Sequence, residues 1–487
     1  MYRIIATLPQ FKDNKWLGHF KKALFIGVLF HLLAIIFSDG FHRPDEHLGI
    51  MRFTGFKLGM LNSSQAFNSW EYPAQIRPWL QPFLYATIIA PVKALGLENP
   101  FTIATLLRAF SSLLGLIASL FIAFISYDFS KNDKTRLIAL YSSFILWFIP
   151  FFHARTSAEN LSSSLFTYAF IIIYLNRNAK VLSYLVSIST GFLFALSFIT
   201  RYQASISIFF LCLWLLLIKK EKVTSLFIVT LTFFITLGAS AFIDHSGYGT
   251  WTNPAYNYFY ENIVNNKAAH FGVDPWWKYL TKSITKGIPP LSLFYFLATF
   301  YFWIKKPRHI LTWVTLPFLI LHSCIAHKEL RFIFPILIYL PLLVSHFIDR
   351  YQLSLKRYYL FKVLLTINCI ALLIASLKPV YSPLSLYKFI YRQQGPKIET
   401  IYTTHNIRDQ LHFYLRKNTK FVVLDDSLPT VQDNLWVMSD NKRDFDRYEA
   451  KENCVLAYSS YPAYLIRNYP SFFKRSKIFA LYQCESL

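Results

Sequence analysis

ASISIFFLCLWLLLIKKEKVTSLFIVTLTFFITLGASAF, residues 204–242, holds two apolar runs, 204–218 and 224–242, separated by five residues that include Lys219, Lys220 and Lys222. A hydrocarbon core of roughly 30 Å needs about 20 apolar residues per helical crossing. Short loops rich in Lys and Arg mark the cytoplasmic side of a membrane protein. The stretch therefore reads as two spans turning back at a basic loop. The same pattern recurs at 22–38, 103–127, 137–152, 161–176, 181–199, 289–304, 309–325, 332–348 and 360–378. The fold expected is an all-α polytopic membrane protein of about 11–12 helices.

The remaining segment, 80–96, carries Pro82, Pro91 and Lys93, which suits a bent helix in the interface better than a crossing. If it does not cross, the loops 128–136, 177–180, 219–223, 305–308 and 349–359 share the side of the N-terminus. Each holds at least two basic residues, among them Lys131, Arg136, Lys305, Arg308 and Arg350. Were it to cross, every later basic loop would face outward, so the charge pattern argues against that arrangement. The segments 39–80, 153–160, 199–204, 243–288 and 326–331 then lie together on the outer or lumenal face.

The 487 residues are 54% hydrophobic and 18% aromatic, with a net charge of +24. In a soluble chain that charge would point to nucleic acid, but here the basic residues sit in loops between spans, so no nucleic-acid partner is expected. Of the five cysteines, Cys212, Cys324 and Cys369 lie inside apolar runs, and no CxxC or metal-ligand spacing occurs. Cys454 and Cys484 are able to pair if the C-terminal region faces an oxidising compartment. From about residue 380 apolar density falls and short alternating stretches appear, at Lys420 to Asp425, Leu435 to Ser439 and Lys477 to Cys484. These read as strands. The division expected is a membrane domain, 1–380, with large outer segments at 39–80 and 243–288, and a small mixed α/β extramembrane domain, 381–487.

The outer segments carry the unusual polar residues. Phe41-His42-Arg43-Pro44-Asp45-Glu46-His47 places two carboxylates directly after the first span. A partly desolvated carboxylate beside cations is suited to general-base work, although such charges also serve merely to solvate a loop. Ser69-Trp70-Glu71-Tyr72 and Arg77-Pro78-Trp79 alternate aromatic and charged groups, which stack on sugars but also populate membrane interfaces. His153, Arg155, Glu159 and Asn160 sit between two spans, and Arg201, Tyr202 and Gln203 end another. Asp244, Tyr248, Trp251, Asn257, Asp274, Trp276, Trp277 and Lys278 enrich the segment 243–288, whose polar and stacking groups suit a carbohydrate or lipid headgroup. His327-Lys328-Glu329-Leu330-Arg331 sets three potential cations in five residues, a natural partner for phosphate unless Glu329 compensates them.

Taken in order, these stretches resemble the membrane glycosyltransferases of GT-C fold that use a polyprenyl-phosphate sugar. The branch is the family of mannosyltransferases (glycosyltransferase family 22) that build glycosylphosphatidylinositol (GPI) anchors and the lumenal arms of lipid-linked oligosaccharides. The matching residues are Arg43-Pro44-Asp45-Glu46, Trp70-Glu71 with Arg77, Arg155-Thr156, Arg201-Tyr202-Gln203, Tyr248-Gly249-Thr250-Trp251 with Asn257, Asp274-Pro275-Trp276, Gly287-Ile288-Pro289, and His327-Lys328-Glu329-Leu330-Arg331-Phe332 with Pro335. Arg43 stands where the family usually has His, and Pro78 where Ser is common. No motif matches after residue 380.

The resemblance implies an inverting transfer of a hexose, mannose first, from a polyprenyl- or dolichyl-phosphate donor to a glycolipid or glycan acceptor. Asp45 would be the general base, with Glu46 orienting it or binding sugar. His327, Lys328 and Arg331, followed by Arg155 and Arg201, would bind the donor phosphate. Trp70, Glu71, Arg77, Gln203, Tyr248, Trp251 and Trp276 would bind sugar or acceptor. No metal and no cofactor beyond the lipid-linked donor as substrate are implied. The membrane is that of bacterial plasma membrane or endoplasmic reticulum, with the site on the extracytoplasmic or lumenal side. A multi-span transporter or lipid flippase is the rival reading, and a noncatalytic assembly subunit a third; neither uses the Asp45 and His327 clusters together.

Overall fold

The computed structural model describes residues 13–67, 69–351, 358–380, 383–393, 398–403, 411–417, 419–423, 435–451, 453–473 and 476–485. The chain divides into two compact units. One comprises Met1–Ser38, Trp70–Phe83 and Leu106–Lys378, and the other Asp39–Ser69, Leu84–Thr105 and Pro379–Leu487.

The apolar runs form helices, as expected, and the segments 80–94 and 278–286 add two more. In chain order they are α1 Asn14–Phe37, α2 Leu80–Ala94, α3 Pro100–Ile125, α4 Asp133–Ile145, α5 Ala158–Leu175, α6 Tyr184–Thr200, α7 Ala204–Leu217 and α8 Val223–Tyr248. There follow α9 Lys278–Lys286, α10 Pro289–Lys305, α11 Ile310–Cys324, α12 Leu340–Tyr351 and α13 Tyr358–Leu377. Asp13, Asn132, Ser157 and Ser183 cap α1, α4, α5 and α6 by accepting amide hydrogens of the first turn. Among the described residues, five helical stretches are long and apolar enough to cross a bilayer, one of them running Asp133–His153 through a break after Ile145, and a bent pair makes a sixth. The shorter apolar ones, α6, α7 and α11, need tilt or local thinning of the bilayer.

Among the apolar helices, the structure departs from the sequence expectation at three places. The expected span 332–348 is broken, with Leu330–Leu337 and Leu340–Tyr351 meeting at 63°. The span 137–152 is likewise interrupted after Ile145 and resumes at Ile149–His153. Asn368 of α13 serves that break, accepting from the Trp147 amide at 3.0 Å and donating to the Ile145 carbonyl at 2.8 Å. A backbone freed inside an apolar bundle must find such a partner. Third, residues 243–248 continue α8 rather than opening a loop, so the polar segment starts at Gly249, which ends the helix at φ 74°.

The core packs Phe166, Phe170 and Tyr174 of α5 against Phe194 of α6, Leu211 of α7 and Tyr339. Gly191 lets α6 approach α8 so closely that a β-carbon there would lie 2.3 Å from the Val229 carbonyl oxygen. Phe227, Phe234, Ile235 and Phe242 of α8 stand exposed. Lipid tails, not water, are the solvent such a surface needs.

The second unit holds α14 Leu384–Arg392, α15 Lys442–Glu449 and a five-stranded sheet of β1 Thr400–Thr403, β2 Lys420–Val423, β3 Leu435–Ser439, β4 Cys454–Ser459 and β5 Ala480–Cys484. The strand order is β2-β1-β3-β5-β4. β1 runs parallel to β2 and β3, while β5 is antiparallel to β3 and β4. Three strands fall in the expected stretches, with residues 424 and 425 of the first outside the described residues. β1 and β4 were not expected: one has only four residues, and the other is part-exposed along nearly its whole length. Cys454 and Cys484 face each other across β4 and β5 and form a disulfide.

Candidate active site

In the second unit, Asp45 lies half-buried at the leading edge of a helical turn, Glu46–Met51, which continues into Arg52–Lys57. The turn is closed by Glu46. Its amide donates to the Arg43 carbonyl at 3.1 Å, and its buried carboxylate accepts the His42 amide at 2.8 Å. Glu46 thus shapes the loop on which Asp45 is carried. His47 is buried between the rings of Phe41 and Tyr414, at 5.8 and 5.7 Å. Burial, then the nearby Arg52 and His412, hold its imidazole well below the ordinary histidine range, so it is neutral.

In the first unit, a network of charges gathers where α5 begins, α6 ends and the turn Leu330–Ile333 opens. Glu159, in the first turn of α5, lies 3.1 Å from Arg201 and 3.6 Å from Arg331. The Phe332 ring is 5.1 Å from one guanidinium and 5.0 Å from the other. Arg331 also pairs with Glu329 at 2.9 Å, and Glu329 takes His327 at 3.1 Å. Lys328 is buried, donating to the carbonyls of Asp274 at 3.0 Å and Ile325 at 2.5 Å. Burial lowers its ammonium from the ordinary lysine value. Lys282 of α9 donates to the Lys328 carbonyl at 2.8 Å and lies 3.3 Å from the Asp274 carboxylate, which Lys278 also approaches at 3.4 Å. Burial opposes ionisation of Asp274, but the hydrogen bonds and charges of Lys282 and Lys278 outweigh it and hold the carboxyl below the usual range.

Arg201, Arg331, Lys328, Lys282 and Lys278 thus face Glu159, Glu329 and Asp274, an excess of positive charge before any ligand arrives. Lys282 was not singled out from the sequence, although Lys278, Lys282 and Lys286 recur at helical spacing along α9. Arg155 is tied instead to the end of α1, through the carbonyl and, at 3.1 Å, the hydroxyl of Ser38.

The segment 70–79 is strapped onto α8. Arg77 and Glu71 form a two-bonded ion pair at 2.9 and 2.6 Å. The Tyr248 hydroxyl accepts the Arg77 amide at 3.2 Å and donates to its carbonyl at 2.7 Å. Asp244 accepts the Trp79 amide at 2.8 Å, a partner invisible when 243–248 is read as loop. Gln203 donates to the Tyr258 hydroxyl at 2.6 Å, and Lys267 lies 3.9 Å over the Trp70 ring. Trp251 and Trp276, by contrast, stand on the surface at 64% and 63% exposure.

An apolar groove of about 140 Å³ shares α9 and the turn Leu330–Ile333 with the charge network; it is lined by Tyr279, Leu280 and Lys286 of α9, residues between Ser292 and Trp303 of α10, Thr315 of α11, and Leu330 and Ile333. From Ser292 to Trp303 it extends roughly 16 Å along the helix.

Residues 22–408 match the model of the Alg9-like mannosyltransferase family. Mannosyltransferase APTG1 of Arabidopsis thaliana is 22% identical over 326 residues, 66% of this chain and 57% of that protein. GPI alpha-1,2-mannosyltransferase 3 of Homo sapiens is 25% identical over 307 residues, 60% and 51% of the two chains. GPI mannosyltransferase 3 of Candida albicans is 27% identical over 349 residues, 71% and 67%. The chain thus spans little more than half the length of the first two of these relatives. The solved structure of ArnT from Cupriavidus metallidurans bound to undecaprenyl phosphate superposes with a TM-score of 0.59 at 10% identity, covering 96% of this chain and 98% of that one. At that identity the likeness speaks for the fold, which is GT-C as the motifs implied. With most of its length matched by the family model, this chain belongs to the Alg9-like mannosyltransferase family.

Proposed function

We propose that the protein transfers mannose from a polyprenyl- or dolichyl-phosphate donor to a glycolipid or glycan acceptor, with inversion, at the extracytoplasmic or lumenal face of its membrane. The observation that carries the reading is an excess of cations within one unit beside an apolar groove that shares α9 and the turn Leu330–Ile333 with them. A prenyl chain is the ligand class whose tail needs the groove and whose phosphate needs Arg331, Arg201, Lys328 and Lys282. In the reaction, Asp45 takes the proton of the acceptor hydroxyl while that oxygen bonds to the mannose anomeric carbon. The bond from that carbon to the phosphate oxygen breaks, its electron pair leaves with polyprenyl phosphate, and the cations stabilise the charge that develops.

The ordered motifs support the donor class, and the relatives named as GPI mannosyltransferases support mannose as the sugar and a glycolipid as the acceptor. The Cys454–Cys484 disulfide agrees with an oxidising compartment for the C-terminal region. The test is transfer by purified protein from polyprenyl-phosphate mannose to a panel of glycolipids, wild type against Asp45→Asn. Loss of transfer in a folded variant supports Asp45 as the base. Retained transfer removes it from that role, and no transfer by wild type from any mannosyl donor removes the reading.

A further inference from the structure

The second unit joins two parts of the chain that the motifs leave separate. The loop carrying Asp45 packs within one compact unit with the C-terminal region, 379–487. The contact is built around the turn 411–415, in which Leu411, Phe413, Tyr414 and Leu415 are all buried. Tyr414 lies parallel to His47 at 5.7 Å and 15°, and its ring also stacks on Phe101 at 5.0 Å. Phe413 meets His47 edge-on at 6.5 Å and covers Gly55, where a β-carbon would come within 3.0 Å of its ring. At the entrance to the loop, Lys388 of α14 bonds Asp39 at 2.6 Å, and the Val380 amide donates to the Asp39 carbonyl at 2.8 Å. At its exit, Gln65 donates to the carbonyls of Lys417 and Thr419 at 3.0 and 3.2 Å.

His47 makes this contact unusual. Neither of its ring nitrogens has a hydrogen-bond partner among the described residues, although the side chain is 1% exposed. A buried polar atom left unpaired costs about 1–3 kcal/mol, so this imidazole is held by its faces against a cost that an apolar ring would avoid. We propose that the turn 411–415 is a positioning device for the catalytic loop. Tyr414 and Phe413 clamp His47, two residues beyond Asp45, and the clamp sets the orientation of the Asp45 carboxylate toward the acceptor hydroxyl. The inference rests on the reading of Asp45 as the base. It assigns the C-terminal region a part in the chemical step without contact with substrate.

The experiment uses the full chain in lipid nanodiscs, with polyprenyl-phosphate mannose as donor. Tyr414→Ala removes one face of the clamp, and Tyr414→Phe keeps it. Displacing a reacting group by about 1 Å costs up to 100-fold in rate. Tyr414→Ala is therefore expected to lower kcat by about 10- to 100-fold with donor KM unchanged, and Tyr414→Phe to restore kcat. Amide hydrogen exchange across 41–51 should speed up in Tyr414→Ala while that of α5 stays as in wild type. Should Tyr414→Ala not accumulate, Lys388→Met loosens the same contact from a half-exposed position and is expected to raise exchange in 39–47 and lower kcat at constant KM. Unchanged exchange, or loss of kcat and KM together without rescue by Tyr414→Phe, overturns the proposal. Asp45→Asn separates the two claims. Full activity in Asp45→Asn sinks the base assignment, whereas loss there beside wild-type kcat in Tyr414→Ala sinks the clamp alone.

Discussion

Replacing Glu159 by Gln tests the charge network where its cost is largest. The carboxylate lies 3.1 Å from Arg201 and 3.6 Å from Arg331, with 2% of Glu159, 9% of Arg201 and 8% of Arg331 exposed. At an effective dielectric of about 20, a pair 3.1 Å apart gains roughly 5 kcal/mol of Coulomb energy. Desolvation offsets most of that gain in the intact protein. Breaking a buried pair strands the surviving charge and costs about 3–5 kcal/mol. Arg331 keeps Glu329, and Gln retains one acceptor oxygen, so the lower end, about 3 kcal/mol, is expected. The variant also raises the positive charge beside the groove, so donor KM should fall even as stability falls. Unfolding of the purified protein by titrated SDS, followed by tryptophan emission, measures the first effect, and initial rates against polyprenyl-phosphate mannose measure the second. Stability within about 0.5 kcal/mol of wild type, or a raised donor KM, would refute the account of Glu159 as the counter-charge to two arginines.

Gly247→Val should fail where α8 meets the strap, because a β-carbon there would lie 2.2 Å from the Trp79 ring; a loss of about 1–3 kcal/mol or more is expected in the same unfolding assay. Acid should loosen the second unit through His47 and His412. Burial and then Arg52 lower His412 to about 3, against about 6.5 when unfolded. The unfolded chain therefore binds the extra proton, and the stability present above pH 6.5 is lost as pH falls toward 3, at about 1.4 kcal/mol per pH unit per histidine. Hydrogen exchange of 411–415 between pH 7 and 4 should show it, and His412→Phe should flatten the dependence. Thiol labelling of the oxidised protein after denaturation should reach Cys212, Cys324 and Cys369 only, and Cys454→Ser should cost the second unit about 2–5 kcal/mol.

The spans were legible because a bilayer demands length and apolarity from each helix on its own, and residues 204–242 satisfy that demand without reference to any neighbour. The breaks were not, because each is licensed from elsewhere: Asn368 satisfies the backbone at Ile145 and Trp147 across the bundle. The same division runs through the candidate site. Asp45 and the His327 cluster announce themselves by local charge density, but that Arg201 and Arg331 share Glu159 depends on three segments brought together by folding. Arg155 shows the converse, for a cation inside a motif turns out to be tied to Ser38 at the end of the first helix. The C-terminal region was least readable of all. Its contact with His47, two residues from Asp45, is made by ring faces, Tyr414 and Phe413, and stacking leaves no spacing or charge pattern for a motif to carry. A region that acts through packing changes its residues freely so long as the faces meet. A loop can therefore keep its carboxylates while the element packed against it carries no recognisable motif.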